Sequence, residues 1–230
     1  MAGLFQTLNV GAESLFASRQ GVDTTGHNIA NAQVQGYSRQ RVNLKARDPS
    51  QRGNLVIGNG VYASGIKRVH DQFIQDQLNR AQTDTGRSGA LVDGMTAIEN
   101  IFSPELNDSL DQELTSFFNA LQDMSNFPEE LTPRANVREM ALNVTRSFHR
   151  TDGALRKLGS DFNERIAGEV ATVTDQLANI ARLNVQIREM EAGTESQSND
   201  LRDDRDRILA DLSKKMDISY YENDQGMIVV

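Results

Sequence analysis

From Val137 to Ile187 the chain repeats a stripe at four- and three-residue intervals, which alternate except for three successive fours from Leu158 to Val170: Val137, Ala141, Val144, Phe148, Thr151, Leu155, Leu158, Phe162, Ile166, Val170, Val173, Leu177, Ile180, Asn184 and Ile187. That spacing holds a single stripe on one side of a helix for about seven heptads, and it predicts one helix, or two nearly continuous ones, over residues 133–191. Thr132-Pro133 supplies a start, because proline suits the first helical turn. A helix this long buries only its stripe. Central parallel-sheet strands, by contrast, need apolar residues on both faces. The hydrophobic content of 38%, below the roughly 45–50% common in globular domains, fits a mainly α, elongated long-helix bundle better than a compact α/β enzyme. Asn184 is the polar exception in the last heptads; it either fixes register through a buried hydrogen bond or sits in a locally wet seam.

The remaining elements follow from similar arguments. Leu8, Leu15, Val22 and Ile29 recur every seven residues and mark an N-terminal helix with one apolar face, widened by Leu4, Phe5 and Phe16. Its seam is weaker than an ideal coiled coil: Ala12 fills one intermediate position, but Arg19 and Gly26 occupy the next two. Gly11, Gly21 and Gly26 each lower helix propensity by about 1 kcal/mol relative to alanine. Residues 31–54, with Gly36, Pro49 and Gly53, read as an extended connection. Leu55-Val56-Ile57 and Val61-Tyr62-Ala63 flank Gly58-Asn59-Gly60 and predict a short hairpin near residues 55–69. A long helix starts near Asp71 and breaks near Phe102-Ser103-Pro104. A shorter one begins between Asn107 and Ser109 and stops before Asn126-Phe127-Pro128, where the residue preceding proline disfavours helical geometry. After a loop from Glu191, a charged helix spans about Asn199 to Lys215. Ile218, Tyr220 and Met227 to Val230 then predict two β segments around Asn223-Asp224-Gln225-Gly226. The expected division is 1–54 for the N-terminal helix and connection, 55–70 for the hairpin, 71–215 for the helical bundle and 216–230 for the beginning of a β-rich segment.

Several function classes are disfavoured. With no cysteine there is no disulfide scaffold, thiolate zinc cluster or cysteine nucleophile. His27, His70 and His149 fall in separate elements, so no metal site and no catalytic residue is expected. Asp200, Asp203, Asp204 and Asp206 are interrupted by Arg202, Arg205 and Arg207, which lacks the order of a calcium loop and reads as a charge-laced, solvated helix. Gly58-Asn59-Gly60 lacks the further glycines of a dinucleotide loop, and there is no phosphate-binding Gly/Lys/Ser-or-Thr motif, so no cofactor is expected. The formal charge is −8, yet residues 1–70 carry eight Lys/Arg against three Asp/Glu, or +5, leaving −13 for the rest. Arg39, Arg41, Lys45, Arg47 and Arg52 are dispersed along a connection rather than gathered on a reading element, so nucleic-acid binding is not expected. The N-terminus lacks a basic segment followed by an apolar core, and no run is long enough to span a bilayer; neither a cleaved signal peptide nor membrane insertion is expected.

Asn28-Ile29-Ala30-Asn31 followed by Gly36-Tyr37-Ser38-Arg39-Gln40 resembles the signature of bacterial flagellar rod, hook and hook-associated proteins. Tyr37-Ser38-Arg39-Gln40, with Gln35 before Gly36, favours the hook-associated members of that group. Two further stretches resemble them: Gly58-Asn59-Gly60-Val61 leading through Ile66, Arg68, Asp71 and Phe73 to Gln77-Leu78, and Asn199-Asp200-Leu201 through Asp204-Arg205-Asp206 to Lys214-Lys215. The resemblance implies a structural role without substrate turnover: a subunit of the hook–filament junction, exported to the extracellular flagellum without a cleavable signal. Its implied partners are copies of itself, the hook protein, an adjacent hook-associated protein, the flagellar export apparatus and a chaperone acting on a C-terminal region. It also implies that the chain is an N-terminal fragment, lacking a C-terminal helix that would pack on the N-terminal one. Leu8, Leu15, Val22 and Ile29 would then exclude water between axial helices, Asn28, Asn31, Gly36 and Tyr37 would shape the turn and contact region, and Arg39 and Gln40 would make polar contacts between subunits. For Tyr37 the competing reading is loop packing, and for Arg39 an exposed basic loop. Another flagellar axial protein, or a generic coiled-coil scaffold or adaptor, is the alternative.

Overall fold

The computed structural model describes residues 2–52, 54–102 and 109–230. The expected break at Ser103-Pro104 and a helix start at Asn107 lie outside these residues, as do the side chains of Leu4, Arg52 and Leu55. The fold is mainly α, with short antiparallel ladders near both ends. In order it comprises α1 (Ala2–Ala30), β1 (Gln40–Ala46), β2 (Ser50–Arg52), β3 (Leu55–Ile57), β4 (Val61–Arg68), α2 (Gln72–Phe102), α3 (Leu110–Asn126), α4 (Leu131–Glu191), α5 (Asn199–Lys215), β5 (Tyr221–Glu222) and β6 (Ile228–Val229). The seven-heptad stripe is carried by the single helix α4, and α5 has the expected limits.

The chain divides into two compact units, residues 1–85 with 173–230 and residues 86–172. In the second unit Ser109 caps α3 by accepting from the Gln112 N–H at 3.4 Å. Pro128 ends that stretch, and its carbonyl accepts from Arg134 Nε and Nη2 at 3.0 and 2.6 Å in the first turns of α4. A Cβ on Gly94 of α2 would meet the Phe162 ring of α4 at 3.7 Å, ordinary packing distance. In this unit the α4 stripe is half-buried at Val137, Ala141, Val144, Leu158 and Phe162, but exposed at Phe148, Ile166 and Val170.

In the first unit the core is small: Ile180 of α4, Leu209 and Leu212 of α5 and Ile228 of β6, flanked by Val173, Ile208, Ile218 and Tyr220. Asp71 caps α2 by accepting from the N–H groups of Phe73 and Ile74 at 3.0 and 3.3 Å. Tyr220 hangs on that helix, donating to Asp76 and accepting from Asn79 at 2.8 and 2.9 Å. Burial first, then the Asp76 carboxylate, pushes its phenol pKa well above the ordinary range.

The hairpin region pairs differently from the sequence expectation. Leu55–Ile57 does not pair with Val61–Ala63: β3 folds back on β2, and β4 pairs with β1 from Gln40↔Arg68 to Ala46↔Val61. The result is one nested hairpin reaching into the stretch read as a connection. Its ladder is interrupted at Pro49, which has no N–H to donate, and opposite it at Gly58-Asn59-Gly60. Asn59 Nδ2 bridges the gap by donating to the Asp48 carbonyl at 2.6 Å. Seven residue pairs in β1·β4 outweigh the three-residue hairpin that local turn chemistry suggested. At the other end β5 and β6 pair around the expected turn at Asn223–Gly226, although the first strand is Tyr221–Glu222 and leaves out Ile218 and Tyr220, which pack on the core instead. Gly226 takes φ +74°, and the Asn223 carboxamide oxygen accepts from the Gln225 and Met227 N–H groups, both at 3.0 Å.

Candidate functional site

Helix α1 wears its amphipathicity inside out. Leu8, Leu15, Val22 and Ile29 are 68–72% exposed, and Phe5 and Phe16 are comparably open. The face turned inward is Val10, Ser14, Ala17, Gly21, Thr24 and Asn28, a second alternating four-and-three series that after Val10 is made of small or polar residues. Ala17 lies nine positions from Leu8, about two and a half turns, so the two stripes are on opposite sides. Small side chains let the helix lie close against β1 and β4. Gly60, at φ +81°, has no room for a Cβ, which would come within 2.9 Å of Val10 Cγ1. Glu13 pairs with Arg47 at 2.8 Å.

Downstream, the turn is organised by Asn28. Its carboxamide oxygen accepts from the Gln40 N–H and the Tyr37 hydroxyl, both at 2.8 Å, and its Nδ2 donates to the Gln40 carbonyl at 2.9 Å. The side chain thus replaces a neighbouring strand at the first residue of β1. Tyr37 Oη lies 3.0 Å from His27 Nδ1. Burial, followed by the Asp200 and Asp203 carboxylates, raises the Tyr37 pKa. Asn31 Nδ2 donates back to the His27 carbonyl at 3.0 Å. Gly36 takes φ +84°, a left-handed conformation that favours glycine.

This turn rests on α5, and here the reading of Asp200 to Arg207 as a solvated helix face is corrected. Arg202, Asp203 and Arg205 are buried, Arg205 completely. Asp203, its side chain 8% exposed, accepts from the Ser38 N–H at 2.7 Å and from Arg68 Nη1 at 2.9 Å. The same Arg68 nitrogen reaches Asp206, while Asp200 accepts from Gln40 Nε2 at 2.8 Å. Asn199 acts on β4 as Asn28 acts on β1, accepting from the Arg68 N–H at 3.1 Å and donating to the Ile66 carbonyl at 3.4 Å. Gly65 sits flat beneath the Glu195–Ser196 backbone, where a Cβ would fall 2.8 Å from the Glu195 carbonyl oxygen.

On the other side of α5, Arg202 forms a fork with Glu191 at 2.8 and 2.7 Å and reaches Glu222 at 2.8 Å. Burial pushes the Glu191 pKa up, but the Arg202 guanidinium and the Ser198 N–H outweigh it and hold it below the ordinary range. Arg205 donates through Nη1 to Asn184 Oδ1 and the Gly226 carbonyl at 2.9 and 2.7 Å. Asn184 itself donates to the Ile228 carbonyl at 2.8 Å and accepts from the Ile228 N–H at 3.0 Å. Of its two sequence readings the buried hydrogen bond is the observed one, although its partners are β6 and α5.

The turn therefore brings together Asn28, Asn31, Gly36, Tyr37 and Gln40, while the carbonyl of exposed Arg39 continues the ladder by accepting from the Val69 N–H at 2.7 Å. Leu8, Leu15, Val22 and Ile29 stand apart, on the open side of α1. The sequence reading missed the α5 hub, although a signal was present. Extending the Leu212, Leu209 stripe towards the N-terminus in alternating four- and three-residue steps lands on Arg205 and Arg202, both on the buried face. Among the described residues no cluster of His, Asp and Glu is placed to hold a metal ion, and no helix is long and apolar enough to cross a membrane.

An uncovered terminal helix, a clamped turn and a polar hub belong to a building block. Residues 95–230 match the family described as the flagellar hook-associated protein FlgK helical domain, and the chain belongs to that family of flagellar structural proteins. It is 32% identical over 220 residues to flagellar hook-associated protein 1 of Salmonella typhimurium and 29% identical to that of Escherichia coli K12, in each case over 95% of this chain and 40% of the relative. The Bacillus subtilis protein of the same name is 28% identical over 98% of the chain and 46% of its own length. The chain thus spans less than half of these relatives.

Proposed function

We propose that the chain contributes the N-terminal portion of a structural subunit of the hook–filament junction, which polymerises through its terminal helices and adapts hook to filament outside the cell. The observation that carries this reading is the exposed stripe of Leu8, Leu15, Val22 and Ile29 on a helix whose opposite face is already buried. Burying a large apolar side chain contributes about 1.5–3 kcal/mol, so the four together offer about 6–12 kcal/mol. Association of two bodies costs about 4–15 kcal/mol. The two ranges overlap and their midpoints roughly cancel, so a single stripe contact is marginal on average, and stable assembly draws on several contacts per subunit in a closed ring or layer. Copies of the same chain, the hook protein and an adjacent hook-associated protein are the partners this reading requires. The family resemblance adds the flagellar export apparatus and a C-terminal chaperone. Asn28, Asn31, Gly36 and Tyr37 hold the turn in shape, and Arg39 and Gln40 contribute polar register at the rim, where surface pairs are worth only about 0–1 kcal/mol.

The test is electron microscopy of the full-length protein mixed with hook and filament neighbours. The expected result is a discrete layer between them, lost in a Leu8→Asp/Leu15→Asp variant whose unfolding free energy stays within about 0.5 kcal/mol of the parent, as befits exposed positions. Well-folded parent protein that forms a closed dimer and never enters a layer overturns the junction role in favour of a generic coiled-coil scaffold.

A further inference from the structure

The sequence contains one asparagine followed by glycine, Asn59-Gly60, and two aspartates followed by glycine, Asp93-Gly94 and Asp152-Gly153. In such pairs the side-chain carbonyl carbon is most open to attack by the next backbone nitrogen, because glycine puts no Cβ in the way. The fold treats the three differently. Gly94 and Gly153 lie inside α2 and α4, where each amide N–H is committed to the carbonyl four residues earlier. Closing a ring there requires opening a helix. Gly60 lies between β3 and β4 at a corner of the nested hairpin, takes φ +81°, and its N–H meets no acceptor among the described residues. Its carbonyl accepts from the Arg47 N–H at 3.1 Å, which anchors the glycine and leaves its nitrogen open. The carboxamide is placed for the same reaction. Asn59 is half-buried; Ser50 Oγ donates to its Oδ1 at 3.1 Å, drawing electron density from Cγ, and its Nδ2 donates to the Asp48 carbonyl at 2.6 Å on the exposed side.

We propose that Asn59 is a spontaneous deamidation site of this chain, with water as the only co-reactant. The Gly60 backbone nitrogen gives its proton to hydroxide and bonds to Asn59 Cγ. The Cγ–Nδ2 bond breaks, the nitrogen leaves as ammonia, and a succinimide ring closes. Water then opens the ring at either carbonyl: cleavage at Cγ yields aspartate, and cleavage at the main-chain carbon yields isoaspartate, whose backbone runs through the side chain. Nothing is oxidised or reduced. Either product carries one more negative charge, so residues 1–70 drop from +5 to +4. Neither has an Nδ2–H to give the Asp48 carbonyl, and a carboxylate faces that oxygen across the gap in the ladder. Isoaspartate also lengthens the main chain just before Gly60, which draws the Gly60 carbonyl off the Arg47 N–H. The outer β2·β3 pair is thereby loosened from β1·β4. The site does not depend on how the N-terminal arm, residues 1–70, is held in the isolated subunit: opening of the hairpin releases the carboxamide further and speeds the step.

The test is peptide mapping of the native full-length protein aged at mildly alkaline pH, with ammonia release and isoaspartate followed together. Asn59 is expected to be the first asparagine converted, at a rate proportional to hydroxide, and to yield both aspartate and isoaspartate. Ageing in urea separates chemistry from fold. An exposed hydrogen bond restrains the carboxamide by about tenfold at most, so urea is expected to speed conversion of Asn59 by about tenfold or less. Helix interiors are protected by roughly 100-fold or more, and isoaspartate at Asp93 and Asp152 is expected to gain at least that factor. Asn59→Gln, whose longer side chain closes a ring far more slowly, is expected to abolish the early ammonia while leaving the thermal transition unchanged. An Asn59 still amidated after other asparagines have converted overturns the site, and so does a urea acceleration at Asn59 as large as that at Asp93 and Asp152. Early ammonia undiminished in Asn59→Gln overturns it as well. The readout needs no assembly, so failure of the junction role leaves this result standing on its own.

Discussion

Replacing Asn184 by leucine sets two physical arguments against each other. On the α4 stripe, leucine completes the apolar heptad, and burying it is worth about 1.5–3 kcal/mol. Against that, the Asn184 carboxamide satisfies both the N–H and the carbonyl of Ile228, whose residue is only 6% exposed, and accepts one of the two hydrogen bonds made by Arg205 Nη1. Leaving a buried backbone group unpaired costs about 1–3 kcal/mol, and a bond to a charged group is worth about 1.5–3 kcal/mol. With two orphaned groups and one lost charged bond, the central balance is a destabilisation of about 4 kcal/mol. Even the smallest costs set against the largest gain leave Asn184→Leu slightly less stable than the parent. The assay is urea unfolding followed by circular dichroism, paired with hydrogen exchange at the Ile228 amide, which is expected to lose its protection. A variant as stable as the parent, with Ile228 still protected, would refute the reasoning and return Asn184 to the role of a tolerated polar residue in a wet seam.

Two further predictions concern the same hub. Gly226→Ala places a Cβ 2.7 Å from Arg202 Nη2 in a residue at φ +74°, and is expected to cost about 1–3 kcal/mol through backbone strain, measured as a fall in the urea midpoint. Because the folded-state pKa of Glu191 is depressed, its contribution is complete above the ordinary carboxylate value of about 4.3 and is lost as pH falls through the lower folded value. Titrating stability from pH 6 down to pH 2 (about two units either side of that value) is therefore expected to show an acid slope that Glu191→Gln reduces; an identical slope in the variant removes Glu191 from the account.

Where the sequence could be read, one physical regularity dominated. Helices α4 and α5 were legible because a repeating stripe, a proline start and flanking polar loops all agree, and the β5–β6 turn because Asn223 and Gly226 favour it locally. The β1·β4 ladder was obscured because Gly58-Asn59-Gly60 resembles a hairpin turn, while the longer pairing is visible only as register between strands about twenty residues apart. The α5 hub was hidden for a different reason. Asp, Arg, Asp, Asp, Arg, Asp looks solvated by composition, and the carboxylates, carboxamide and backbone carbonyl of residues 184, 191, 222 and 226 make burial affordable for Arg202 and Arg205. The inward face of α1 was likewise overlooked, since Ser14, Gly21 and Thr24 carry no hydrophobic signal. Leu8, Leu15, Val22 and Ile29 were legible as a face needing a partner.

The separation between Arg68 and Asp206 along the chain has a consequence in time. These residues are 138 positions apart, and synthesis proceeds at about 5–20 residues per second. For roughly 7–28 s after Arg68 is made, its second carboxylate does not exist, and during that interval the stripe on α1 is exposed on an arm with nowhere to dock. Four glycines in α1 (Gly3, Gly11, Gly21 and Gly26) hold its helical propensity down, so the nascent stripe spends part of that wait disorganised, when it is a poorer template for premature association than a finished helix would be.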